Sequence, residues 1–122
     1  MDKKITKNIP FLILRIGLGF VFFWFGLDKL INPENWLGYI TPFLSSIIPF
    51  SLEIFILILG IIEFILGIIL FSGYYLKYTS IIVAMHLIVI ILSQGFNEIT
   101  VRDIGLLAIA LALATGSKNA KV

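Results

Sequence analysis

Hydrophobic residues come in four long runs along this chain, and short polar stretches separate the runs. The clearest run covers residues 52–71, LEIFILILGIIEFILGIILF, in which only Glu53 and Glu63 are charged. A helix needs about 20 mainly apolar residues to cross the hydrocarbon core of a bilayer. The pattern predicts an all-α, polytopic membrane protein, a bundle of four transmembrane helices at about residues 9–30, 49–71, 75–93 and 100–117.

The segment between the first two runs, residues 31–51, has a different composition. Three prolines interrupt it, and proline breaks a long helix. Trp36, Tyr39 and Phe43 recur there at helix-like spacing, and such side chains lie well at the level of the lipid headgroups. We predict a short interfacial helix or re-entrant loop, with these aromatic residues forming an interfacial belt. No polar stretch is long enough for a soluble domain, so residues 1–122 are expected to form a single transmembrane domain.

Composition narrows the classes of function. The chain is 60% hydrophobic and only 13% charged, whereas about a quarter of the residues of a soluble domain are charged. Its formal net charge of +2 is too small to indicate a nucleic-acid partner. The absence of cysteine excludes thiol chemistry by this chain, and a single histidine beside no cysteine predicts no metal site.

The basic residues indicate an orientation. Four spans place both termini on one side of the membrane, and six lysines are expected on that side, at positions 3, 4, 7, 77, 118 and 121. Only Lys29 and Arg102 are expected on the other side. Because basic residues favour the cytoplasmic side, we predict a cell-membrane protein with both termini in the cytoplasm.

Three polar residues lie well inside the predicted helices. Arg15, Glu63 and His86 fall in the first, second and third predicted helices. An ionisable residue within a transmembrane helix is costly and by default indicates a function. A rise of about 1.5 Å per residue places Arg15 and Glu63 at depths that can meet. We predict an Arg15–Glu63 ion pair, with His86 extending it into a ligand-binding or buried polar network. Such a pair could equally serve only to lock the helix packing.

Five further charged residues are expected near the opposite boundary of the membrane, and we call them the outer charge cluster: Asp28, Lys29, Glu53, Arg102 and Asp103. Thr100 and Asp103 have the spacing of a capping box that would begin the fourth helix. Asp103 could therefore be only a helix cap, and the other charged residues could be simple interfacial anchors.

Glycine residues share helix faces with these charges. Gly19 and Gly26 recur on the stripe of the first helix that carries Arg15, and Gly60 and Gly67 recur on that of Glu63. Small residues allow close helix contact in lipid. We therefore predict a compact bundle with a polar seam.

Two stretches resemble a known family. LRIGLGFVFFWFGLDKLINPENW at residues 14–36, the intramembrane Glu63 and RDIGLL at residues 102–107 resemble the DoxX family of small four-helix membrane proteins. Members of this family belong to quinol oxidases and thiosulfate:quinone oxidoreductases, and distant animal relatives act as membrane chaperones for receptor assembly. The resemblance implies a quinone-linked redox subunit or an assembly factor.

The hypotheses that remain come from different classes. One is a subunit of a membrane redox complex that binds a quinone or another lipid-like ligand; the sequence leaves the cofactor open, with a quinone as the candidate. The alternative is a non-enzymatic membrane chaperone or assembly factor. Under both hypotheses, the expected partners are the lipid bilayer and either another membrane protein or further copies of this chain in a homo-oligomer. Proton-coupled transport is disfavoured, because small multidrug exporters carry their essential carboxylate in helix 1, where this chain has Arg15.

Overall fold

The structure consists of helices. The computed structural model describes the backbone of residues 3–94 and 98–120 and the side chains of residues 9–94 and 98–116. Its elements are α1 (Lys3–Ile31), a 3-10 helix (Pro33–Tyr39), α2 (Pro42–Ile47), α3 (Leu52–Ser72), α4 (Leu76–Gln94) and α5 (Glu98–Ala120). Four segments are long and apolar enough to cross a membrane: Ile9–Ile31, Leu52–Ser72, Leu76–Gln94 and Glu98–Gly116. The predicted all-α, four-span fold class is confirmed.

Several helix ends differ from the predicted boundaries, and α1 begins at Lys3, before the predicted start near residue 9. α3 begins at Leu52 rather than near Pro49, with Ser51 as its N-cap residue, and it ends where Gly73 adopts the left-handed conformation, at φ +81°. Glycine is the usual residue at such an end because it has no Cβ. α5 begins at Glu98, so Thr100 lies inside the helix instead of capping it.

The short helical segment predicted between the first two spans is present as the 3-10 helix and α2, and hydrogen bonds fasten it to the end of α4. The hydroxyl of Thr41 accepts a bond from the amide of Leu44 (3.3 Å), which caps α2. It also donates to the carbonyl oxygen of Ser93 (3.2 Å), and the amide of Gln94 donates to the carbonyl oxygen of Tyr39. The segment therefore lies against the membrane-spanning bundle rather than apart from it.

α1 and α3 run antiparallel and meet at four glycines. A Cβ on Gly26 would lie 2.8 Å from the carbonyl oxygen of Gly60, and a Cβ on Gly67 would lie 2.9 Å from that of Gly19. Real side chains do not fit at such distances from a backbone, so only glycine permits this approach. The prediction that these glycines serve close helix packing is confirmed.

The second helix pair is α4 with α5, and it packs against the first pair through α1 and α3. A hydrophobic core fills the space between the pairs, and it includes Leu18, Phe22, Leu70, Val83 and Leu113. In each candidate span, only 28% to 33% of an apolar 18-residue stretch is buried inside the bundle, so most of the span lies outside this core. The apolar residues on the outer faces suit contact with lipid.

Candidate functional site

Glu63 is the centre of a buried polar row in the middle of the bundle. Only 4% of the residue is exposed. One carboxylate oxygen, Oε1, lies 2.5 Å from Nζ of Lys29, and the other, Oε2, lies 2.8 Å from Nε2 of His86. The three side chains come from α1, α3 and α4, so the row joins three of the four spans.

Lys29 reaches Glu63 because of the direction in which helical side chains lean. Side chains lean toward the N-terminus of their own helix. Lys29 near the end of α1 therefore leans back along the bundle, and Glu63 leans toward the start of α3, so the two approach each other. Gly60 clears the path, since a Cβ there would lie 2.9 Å from Cβ of Lys29.

Arg15 lies elsewhere, and this corrects the sequence-based pairing. Its guanidinium contacts Gly73 at the end of α3, at the opposite end of the bundle from Lys29. Of the side chains that the structure describes, Lys29 and His86 rather than Arg15 hold the carboxylate oxygens of Glu63. The predicted Arg15–Glu63 ion pair is therefore wrong, because Arg15 leans away from Glu63, toward the start of α1.

Trp36 positions Lys29 from the other side. Nζ of Lys29 lies 4.0 Å from the centre of the Trp36 ring and 5.6 Å from that of Phe25, which are distances for cation–π attraction. The indole nitrogen of Trp36 donates a hydrogen bond to Asp28 (2.8 Å). Trp36 and its neighbour Tyr39 line a cavity, while the interfacial belt stays a prediction.

The five residues of the predicted outer charge cluster divide among several environments. Lys29 joins the buried row, while Asp28 bonds to Trp36. Asp103 is buried and accepts bonds from Nη2 and Nε of Arg102 at 3.1 Å and 3.2 Å. The guanidinium of Arg102 also lies 4.8 Å from the Phe25 ring centre. Glu53 is exposed at the start of α3. A single cluster of five is therefore not what the structure contains.

A cavity of about 170 Å³ opens beside the polar row. Its walls come from α1, the 3-10 helix, α2, α3, α4 and α5, and most of them are apolar. The polar groups on its lining include Lys29, Glu63, His86, Arg102 and Asp103. An apolar chamber with a few convergent polar groups is the usual form of a small-molecule site. Within the described part of the chain, no group of three or more His, Asp or Glu residues has the arrangement of a metal site.

Sequence reasoning placed Glu63 and His86 in one network but assigned Lys29 to another group. The register in which the glycines of α1 face those of α3 would have indicated that Lys29 lies near Glu63. If Gly26 faces Gly60, Lys29 lies beside the turn of α3 that carries Glu63, and the stripe that contains Arg15 also contains Lys29. The aromatic lining from the 3-10 helix had no such signal, because the fold of residues 31–51 over the bundle depends on contacts distant in sequence.

Fold and site together define a multi-pass α-helical membrane protein with a polar row buried between its spans. The DoxX family model matches residues 11–95, and the chain belongs to the DoxX family. The matched range contains Lys29, Glu63 and His86, whereas Arg102 and Asp103 follow it. No curated protein and no solved structure matches the chain.

Proposed function

We propose that the cavity binds the ring of a quinone-like, lipid-soluble ligand. The observation that carries this proposal is the His86–Glu63–Lys29 row on the wall of a mainly apolar cavity of about 170 Å³. A cavity of about 150 Å³ in another protein holds one benzene ring. The size suits a single six-membered ring, and the polar groups suit the carbonyl oxygens of a quinone.

Stability alone does not account for the polar row. Well-packed apolar residues in place of a buried ion pair are often as stable as the pair or more stable. Retaining a lysine, a carboxylate and a histidine between membrane helices therefore favours a functional role.

The row supplies the chemistry that a bound quinone needs from the protein. His86 or Lys29 can donate a hydrogen bond to a ligand oxygen, and the His86–Glu63 contact of 2.8 Å can pass a proton along the row. Reduction of a quinone to a quinol also takes two electrons, which a redox partner in the membrane would supply. We therefore propose that the chain works as the ligand-binding subunit of a membrane redox complex.

Trp36 offers a direct measurement of binding. In a Trp24→Phe background, Trp36 is the remaining tryptophan, and it lines the cavity. A short-chain ubiquinone titrated into detergent micelles should quench Trp36 fluorescence with saturation. Glu63→Gln and His86→Leu should each weaken binding about tenfold, as the loss of about 1.4 kcal/mol from one hydrogen bond predicts.

The matched control for this titration is Thr115→Ala, a change at an exposed position whose hydroxyl bonds to its own helix. Its affinity should equal that of the parent. Quenching that rises linearly and equally in all variants would contradict the cavity as the binding site. If such unsaturable quenching were accompanied by a membrane protein without redox cofactors that co-purified in a stable complex, the two results together would favour the assembly-factor alternative.

We also propose that both termini lie in the cytoplasm. Lys77 is exposed near the start of α4, at the end of the bundle where α1 begins and α3 ends. At the other end, Lys29 bonds to Glu63 and Arg102 bonds to Asp103. The start of α1, the start of α4 and the end of α5 together carry five lysines, at positions 3, 4, 7, 77 and 118, against two basic residues at the other end, and this excess supports the cytoplasmic side for the Lys77 end.

A further inference from the structure

Arg15 is a buried cation that neither the polar row nor the cavity uses. Only 9% of the residue is exposed, and its Nε atom is fully buried without a hydrogen-bond partner. Among the side chains that the structure describes, no carboxylate forms an ion pair with it. Arginine stays charged in proteins, and a buried charge without a partner is costly. Its charge therefore calls for an anion.

The end of α3 makes room for the guanidinium of Arg15. Gly73 has a φ of +81°, and a Cβ there would collide with Nη1 and lie 3.1 Å from Cζ. The C-terminal end of a helix attracts cations, but its partial charge is only about half an elementary charge. The carbonyl oxygen of Ile69 already accepts bonds from the amide of Gly73 and the hydroxyl of Ser72. The end of α3 therefore compensates for only part of the positive charge of Arg15.

The residues around this guanidinium are of the kinds that suit headgroup depth. Three exposed tyrosines follow Gly73, at positions 74, 75 and 78, and exposed Lys77 lies among them. Tyrosine and lysine of this kind are typical of the membrane boundary. Arg15 is six residues into the candidate span that begins at Ile9, about 9 Å along the helix axis, and its side chain leans back toward that boundary.

We propose that Arg15, seated in the backbone notch at Gly73, binds a phosphate oxyanion, that of a membrane phospholipid headgroup. The planar guanidinium matches two phosphate oxygens at once, which makes arginine well suited to this group. The site lies at the opposite end of the bundle from the cavity. It does not depend on the function proposed for the cavity.

Native mass spectrometry in a maltoside detergent tests this site. Wild-type protein should retain phosphatidylglycerol but not a galactolipid, which has no phosphate. Arg15→Gln should lower phosphatidylglycerol retention at least tenfold, a loss of about 1.4 kcal/mol, because it removes the charge-assisted hydrogen bonds to the phosphate. Arg15→Lys keeps the charge without the planar fork, so its retention of phosphatidylglycerol should lie between that of the wild type and that of Arg15→Gln.

The matched control is Lys77→Gln, which removes an exposed basic residue at the same end of the bundle and should leave retention unchanged. Equal retention by Arg15→Gln and wild type would overturn the proposal. A separate arm adds millimolar inorganic phosphate, which should leave the lipid bound; displacement by free phosphate would overturn the lipid assignment.

Thermal unfolding of the wild type provides a test that needs no variant. Phosphatidylglycerol should raise the unfolding temperature by several degrees, because a ligand that binds only the folded state stabilises it. The galactolipid should not. Equal stabilisation by both lipids would contradict a phosphate site even if Arg15→Gln failed to fold.

Discussion

Lys29 and Arg15 lie on the same stripe of α1, yet only Lys29 reaches Glu63. Their different fates follow from the lean of side chains toward the start of their own helix. That lean takes Lys29 over Gly60 to the carboxylate, and it takes Arg15 away to Gly73. An estimate of depth from residue counts ignores this lean and places Arg15, rather than Lys29, at the level of Glu63, which is why the sequence indicated the wrong partner.

Replacing Lys29 tests whether the ion pair is a coupled unit. Lys29→Met removes one partner of a buried pair, and we expect the free energy of unfolding to fall by about 3 kcal/mol, because a buried carboxylate loses its cation. Adding Glu63→Leu should restore much of this loss, since no charge is then stranded. The free energies of unfolding of the wild type, Lys29→Met and the double variant are measured in mixed micelles with an increasing fraction of denaturing detergent.

Lys77→Met is the control for this series, because it changes the same residue type at an exposed position. It should have little effect on unfolding. A double variant as unstable as Lys29→Met alone would contradict the coupling between Lys29 and Glu63.

At the scale of the elements, the antiparallel pair α1–α3 determines where the polar row forms. Gly19, Gly26, Gly60 and Gly67 bring the two backbones together, and their register brings Lys29 beside the turn that carries Glu63. Sequence periodicity was sufficient to predict this glycine face. It could not predict how the 3-10 helix covers the bundle, because the bonds from Thr41 and Gln94 join segments about 50 residues apart.

Replacing glycine by alanine is expected to have different effects on stability at Gly26 and at Gly17, two glycines of α1. Gly26→Ala would place a methyl group 2.8 Å from a backbone oxygen of α3, and we expect a loss of about 1–3 kcal/mol of stability from overpacking. Gly17→Ala meets nothing within 4 Å, so it should be neutral or slightly stabilising, since alanine favours a helix. Thermal unfolding in detergent measures both.

The same pair should differ in ligand binding. Gly26→Ala is expected to move α1 away from α3 and to weaken the Trp36 titration, while Gly17→Ala leaves it unchanged. Equal stability of the two variants would contradict the glycine contact as the feature that holds α1 and α3 together.

At the scale of the whole molecule, two polar features lie at different ends of one bundle. The cavity with Glu63 lies toward the end where α1 finishes, and Arg15 lies toward the end where α3 finishes. Hydrophobic run lengths were enough to predict the four spans, and they follow directly from the thickness of a bilayer. They contain no information on which charges meet, since that depends on helix register and side-chain lean. The single transmembrane domain stays a prediction.

The absence of cysteine makes the orientation of the protein in the membrane simple to test. Asn35 and Tyr74 are both exposed, and they lie at opposite ends of the bundle. In intact spheroplasts of a bacterial host, a membrane-impermeant maleimide should label Asn35→Cys, whereas Tyr74→Cys should react only after permeabilisation. This follows from the excess of lysines on the side of the termini. Cysteine-free parent protein should stay unlabelled, and the reverse pattern would place the cavity end in the cytoplasm.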